Sequence, residues 1–324
     1  MTFRELIVFW EQLQRVSSVA THDIVLQDMI KIMFVAQRSS GAINTEQLQR
    51  KYQDIITGFT DFEHLLNELK HQIKDRVEQE EKEWFHRSSQ WYKSELDMRL
   101  SQHPDFPKQL RNQRVDIPPE TEALYVARIM QHNNWHYPGM IIHPGEEPFM
   151  QYMVGNDPLY LVDESHDLLD LVDMSNYDEV YQRRLRNYVI DESLDHEILE
   201  KLPDAQFGIC LAYHYFDFKP FEIIEKYLVE IYQKLRPGGT LIMTFNDCER
   251  PAALTLVENN YASYNRAPMI RNLAERLNYT VEFFHWEQDN PSSWIELRKP
   301  GTLTSLRGGQ TLAKIMPKPV ANSK

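Results

Sequence analysis

Three apolar, strand-like runs in this chain lead into side chains able to do chemistry. Leu159-Tyr160-Leu161-Val162-Asp163 and Asn187-Tyr188-Val189-Ile190-Asp191 each finish on a carboxylate, and Phe207-Gly208-Ile209-Cys210-Leu211-Ala212 continues into Tyr213-His214-Tyr215. A carboxylate at the carboxyl end of a buried strand can accept both vicinal hydroxyls of a sugar. A neutral imidazole such as His214 can act as general base toward an oxygen or nitrogen nucleophile. Each also has a plainer reading. Asp163 could cap a helix starting near Ser165 or His166, Asp191 could be a solvated loop acid, and His214, Tyr213 and Tyr215 could be structural. The two cysteines, Cys210 and Cys248, fall in or beside strand patterns and read as buried free thiols of a reducing cytoplasm. They lack zinc-site spacing, so no metal is expected.

Two kinds of region must position these residues. At 324 residues, with 42% hydrophobic and 26% charged side chains, the chain reads as globular. Its net charge of −13 disfavours nucleic acid or anionic membrane as a partner for the whole surface. No apolar run is long enough to span a bilayer, and the N-terminus lacks the pattern of a signal peptide. Residues 1–100 read as an all-helical region. Thr2 and Glu5 have capping-box spacing ahead of a stripe at Leu6, Phe9, Trp10, Leu13 and Val16. A second helix is expected over His22–Arg38. From Asn44 or Thr45, apolar residues at heptad-like steps (Leu48, Tyr52, Ile55, Phe59, Phe62, Leu66, Leu69, Ile73) predict either one kinked helix or two, split at Gly58 with a fresh capping box at Thr60 and Glu63. A charged continuation carries Trp84, Phe85, Trp91 and Tyr92, where the charges read as a solvated face and the aromatics as packing or an interface. Residues 101–118 form a Pro-rich linker. From 119 to 299 helix and strand patterns alternate, which predicts an α/β domain with a parallel sheet. The last two strands have no helix between them and should pair antiparallel. Residues 300–324 read as a basic tail, and from Arg298 onward six Lys/Arg occur without an acid; nucleic acid is expected, if anywhere, at this tail.

The stretch Lys234-Leu235-Arg236-Pro237-Gly238-Gly239-Thr240-Leu241-Ile242-Met243-Thr244-Phe245 resembles the helix-to-strand turn late in the core of class I S-adenosylmethionine (SAM) dependent methyltransferases. Pro237 is expected to stop the helix and the glycine pair to permit the turn. The resemblance covers roughly residues 119–299 and implies a seven-stranded Rossmann-like sheet with an antiparallel terminal hairpin. It also implies a SAM site, with Gly145 and His143 in the loop after the first strand, Asp163 on the ribose and Asp191 near the adenine. In that loop the family pattern E-x-G-x-G-x-G is reduced to Gly145. Ile141 stands at the acidic position, and His143 and Glu147 stand at glycine positions, where side chains obstruct a close-lying ligand. His214 and Tyr213 are the catalytic candidates that the resemblance implies. The Asn/Asp-Pro-Pro-aromatic motif of amino-methylating DNA enzymes is missing, as is the G-x-G-x-x-G of dehydrogenases.

Two functions of different class follow. One is methyl transfer from SAM to a small-molecule or protein nucleophile. The alternative is a catalytically inactive relative whose helical region, 1–100, serves assembly with copies of itself or with a protein partner.

Overall fold

The computed structural model describes residues 2–20, 45–92, 117–144, 149–164, 166–170, 172, 174, 177–192 and 197–303. The chain divides into two compact units, Met1–Glu83 and Trp84–Lys324.

In the first unit, helix α1 (Phe3–Ala20) starts with the expected capping box. Thr2 N–H donates to Glu5 Oε2 at 2.9 Å, and Glu5 N–H donates to Thr2 Oγ1 at 3.1 Å. Phe3, Leu6 and Leu13 are buried and Trp10 is half-buried, so the covered stripe runs in steps of three and four. Phe9, expected in that stripe, is exposed. The helix expected over residues 22–38 lies outside the described residues. Helix α2 runs unbroken over Thr45–Trp91. Neither Gly58 nor the Thr60/Glu63 spacing interrupts it, because one interior glycine costs only about 1 kcal/mol. The charged run from Lys74 to Glu83 is largely solvated and carries pairs such as Arg76–Glu80 at 3.1 Å.

The second unit holds the sheet. Helix α3 (Pro119–His132) precedes strands β1 (Gly139–Ile142) and β2 (Leu159–Asp163). Two short helices follow, α4 (His166–Leu169) and α5 (Glu179–Gln182), before β3 (Leu185–Val189) and β4 (Phe207–Ala212). Then come α6 (Phe221–Lys234), β5 (Leu235–Asn246), α7 (Pro251–Glu258), α8 (Ala267–Arg276), β6 (Thr280–His285) and β7 (Ser292–Arg298). The sheet order is β3-β2-β1-β4-β5-β7-β6, with β1 to β5 parallel and β7 antiparallel to both β5 and β6. The expected seven strands and terminal hairpin are therefore present.

The central strands are apolar on both sides because both sheet faces are covered. Met140, Ile142, Cys210, Ala212, Leu241 and Met243 face a core completed by α6 and α8. Ile141, Ile209, Leu211, Ile242 and Trp294 face one completed by Tyr125 and Ile129 of α3. Glu296 is fully buried beside this second core. Arg128 holds it (Nε to Oε1 2.8 Å), and Trp294 Nε1 donates to the same oxygen at 3.1 Å.

Two expectations need correcting. Helix α6 ends at Lys234, and β5 already begins at Leu235, ahead of Pro237. Phe207 pairs with Leu235 and Ile209 with Thr240, so Arg236–Gly239 bulge out of the ladder. Gly238 sits at φ 81°, and its N–H meets Lys299 O at 2.9 Å. The glycine pair therefore seats the chain leaving β7 as well as making the turn. Strand β3 spans Leu185–Val189, not 187–191, since Asp163 already pairs with Val189. Asp191 thus lies past the sheet and is exposed.

Candidate functional site

The parallel strands β1 to β4 put four chain ends side by side at their carboxyl edge. After β1, His143 extends the ladder by one bond, its N–H donating to Val162 O at 2.8 Å. It adopts φ 61°, the left-handed region that favours glycine. This turn points its imidazole at the end of β2, where Nδ1 lies 3.0 Å from Asp163 Oδ2. The other oxygen, Oδ1, accepts Glu164 N–H at 2.7 Å. Asp163 is fully buried. The carboxylate that the resemblance assigns to a ribose is thus engaged on both oxygens by the chain itself. Gly145 and Glu147 lie outside the described residues.

One residue past Asp163, and just past β3, two more carboxylates converge on a lysine. Lys219 precedes Pro220 at the start of α6 and is fully buried. Its Nζ is 2.5 Å from Glu164 Oε1 and 2.8 Å from Glu192 Oε1, and it also donates to the hydroxyl of Tyr92. That hydroxyl donates in turn to Glu192 Oε2. Tyr215 donates to Glu164 Oε1 at 2.8 Å, and its hydroxyl is 2.5 Å from that of Tyr227. The ammonium lies 4.6 Å from the Tyr215 ring centre and 4.9 Å from that of Tyr92. Burial works to lower the Lys219 pKa, but Glu164, Tyr92 and Glu192 outweigh it and hold the pKa well above that of an ordinary lysine. Burial raises the Glu164 carboxyl, yet Lys219 and Tyr215 bring it below its ordinary value. Burial, reinforced by the nearby carboxylates, keeps the Tyr215 phenol neutral and able to donate.

Tyr92 directly follows the last turns of α2, Trp84–Trp91, which belong to this unit. Trp91 and Tyr92 are buried in the core shared with α6. The Phe85 ring packs 6.0 Å from that of Phe221, and Ser88 Oγ accepts Tyr264 N–H at 2.9 Å. The expected packing role of Trp91 and Tyr92 is present.

At the ends of β4 and β5 a second cluster forms. His214 also sits at positive φ, 58°, and its N–H donates to Thr244 Oγ1 at 2.6 Å. Its Nδ1 pairs with Asp217, whose Oδ2 also accepts Ser292 Oγ at 2.8 Å. Tyr213 lies in an aromatic group, its ring 4.9 Å from Phe149 and 6.3 Å from Trp294. Asp247, after β5, accepts Ser293 Oγ at 2.7 Å and Ala267 N–H at 3.1 Å and so braces the loop.

The structure therefore brings His143 to Asp163 and places His214 beside Asp217, while Asp191 is exposed past the end of β3. The residues that sequence reasoning missed are Lys219, Glu164 and Tyr92. A lysine directly before Pro220 and an apolar helix, and a doubled acid at Asp163-Glu164, were the only local signals. Tyr92 has none, because its partner is 127 positions away.

The sheet order with its antiparallel β7 defines the class I methyltransferase fold. No family model matches the chain, and neither does any curated protein. Among solved structures, a SAM-dependent methyltransferase from Mesorhizobium loti is similar at 12% identity and TM-score 0.42, over 54% of this chain and 96% of that one. A SAM-dependent methyltransferase from Methanosarcina mazei is similar at 10% identity and TM-score 0.43, over 58% and 100%. One from Aquifex aeolicus gives 11% identity and TM-score 0.42, over 59% and 97%. The fold does not by itself carry a reaction. The described residues do not fit SAM in the way the resemblance implies. Asp163 is bonded to His143, and Lys219 joins carboxylates and phenols that follow β2, β3 and β4. Among the described residues no cluster could hold a metal ion, and no helix is long and apolar enough to cross a membrane.

Proposed function

We propose that this chain is a methyltransferase-fold protein that does not use SAM, and that its α/β domain is a platform for the helical region, which assembles with a protein partner or with further copies of the chain. One observation carries the reading: the edge where the donor would lie holds a completed network, Lys219 on Glu164 and Glu192. Phe9, Leu65 and Leu69, exposed apolar side chains of the first unit, support the assembly role. The two buried free thiols agree with a reducing, cytoplasmic setting. Isothermal titration of the full chain with SAM and with S-adenosylhomocysteine tests the first part, and saturable binding of either would overturn it. Light scattering of the full chain against Leu65→Glu/Leu69→Glu tests the second, which fails if an assembled state persists unchanged or if none exists with or without cell extract.

A second reading is methyl transfer to a small-molecule or protein nucleophile. It is favoured by the His214–Asp217 pair, which fixes the Nδ1–H tautomer and makes Nε2 the basic nitrogen. It would require the loop at 145–148 to hold SAM without Asp163.

A further inference from the structure

We propose that Lys219 is an internal ligand: its ammonium occupies a carboxylate–aromatic cage and clamps Tyr92, so that the last turns of α2 are seated at the carboxyl ends of β2 and β3. The inference deepens the reading of a platform without SAM, and rests on it.

The cage has the chemistry of an ammonium receptor. Two carboxylates, Glu164 and Glu192, and the Tyr92 hydroxyl take the three N–H bonds that a lysine ammonium can offer. The faces of Tyr215, Tyr92 and, at 5.9 Å, Phe218 surround the charge. The parts come from four places in the chain: Glu164 after β2, Glu192 after β3, Lys219 before α6, and Tyr92 at the end of α2. The first three sit on the α/β framework already, so the lysine is not needed to bring them together. Tyr92 alone arrives from a separate segment, and its hydroxyl both accepts from Lys219 and donates to Glu192. Two further contacts of that segment, Phe85 on Phe221 and Trp91 in the core, are apolar and set no direction. The bond from Tyr264 N–H to Ser88 Oγ adds one polar tie one turn earlier. The Lys219–Tyr92 contact ties the very end of the helix to the ends of β2 and β3.

Hydrogen exchange of the full chain reads the clamp directly. In Lys219→Ala, amides of residues 84–92 should lose at least about tenfold more protection than those of β4 and β5, which report the change in global stability. n-Propylammonium or n-butylammonium at tens of millimolar should restore protection by filling the vacated cage, and tetramethylammonium, which offers no N–H, should not. If Lys219→Ala fails to fold, Tyr92→Phe removes only the hydroxyl and should give the same local acceleration. Unchanged exchange over 84–92 in a folded variant would overturn the proposal, as would restoration by tetramethylammonium equal to that by the primary amines. SAM binding by the native chain would instead defeat the platform reading, so the two failures are separate.

Discussion

Replacing Lys219 by Met removes one positive charge from between two carboxylates and leaves the side-chain volume nearly unchanged. The cost comes mainly from what remains. Glu164 and Glu192 would stand close together, partly buried, with no cation between them. Breaking a buried ion pair from one side costs about 3–5 kcal/mol. With a urea dependence of about 3 kcal/mol per molar, the midpoint should fall by about 1–2 M. The charge argument also gives a sign with pH. In the native chain the Glu164 carboxyl, which burial would raise, is held below its ordinary value by Lys219 and Tyr215. A lowered carboxyl contributes stability above the unfolded pKa of about 4.3 and loses it as pH falls through the folded value. Without Lys219, burial and Glu192 should push the same carboxyl up. Its burden is then greatest at neutral pH and eases as pH falls toward about 5. The deficit of Lys219→Met against the native chain should therefore shrink on acidification. Adding Glu164→Gln and Glu192→Gln removes the orphaned charges and keeps acceptors for the tyrosine hydroxyls, so the triple variant should recover most of the loss. Urea titrations by circular dichroism at pH 7.5 and 5 decide the matter. A deficit under about 1 kcal/mol, a deficit that grows in acid, or a triple variant no better than the single would each refute the reasoning.

Arg128→Met should be comparably damaging, about 3–5 kcal/mol by urea denaturation, because Glu296 is fully buried, its bond from Trp294 carries no charge, and burial favours the neutral form of His132, 4.0 Å away. Gly238→Ala places a Cβ 2.7 Å from Leu303 N at φ 81°, so its thermal midpoint should drop, whereas Pro237→Ala, which keeps the turn glycine, should change it less. Burial pushes the Cys210 thiol well up and no disulfide is present, so a thiol reagent should label Cys210 only at the rate of unfolding; fast labelling in the native state would contradict its buried position.

The architecture was legible where one short window holds the whole physical cause. Apolar runs marked β1, β2, β4 and the Thr240–Phe245 stretch of β5, and Thr2 with Glu5 marked the start of α1, since a capping box closes within four residues. Boundaries that depend on pairing were not. β3 is set by its ladder with β2 and moved two residues toward the N-terminus, carrying Asp191 off the sheet. The site was legible only in its departures. His143 reads in sequence as an obstruction at a glycine position. In three dimensions it takes the left-handed turn itself, a conformation that histidine tolerates better than branched residues do, and gives its Nδ1 to Asp163. The side chain that stands at the glycine position is thus the one that holds the acid. Lys219 and Glu164, 55 positions apart, answer each other in the same way. A decaying ligand site should leave orphaned carboxylates at this edge. Here Asp163, Glu164 and Glu192 each have a partner from another part of the chain, which is what the platform reading we propose requires.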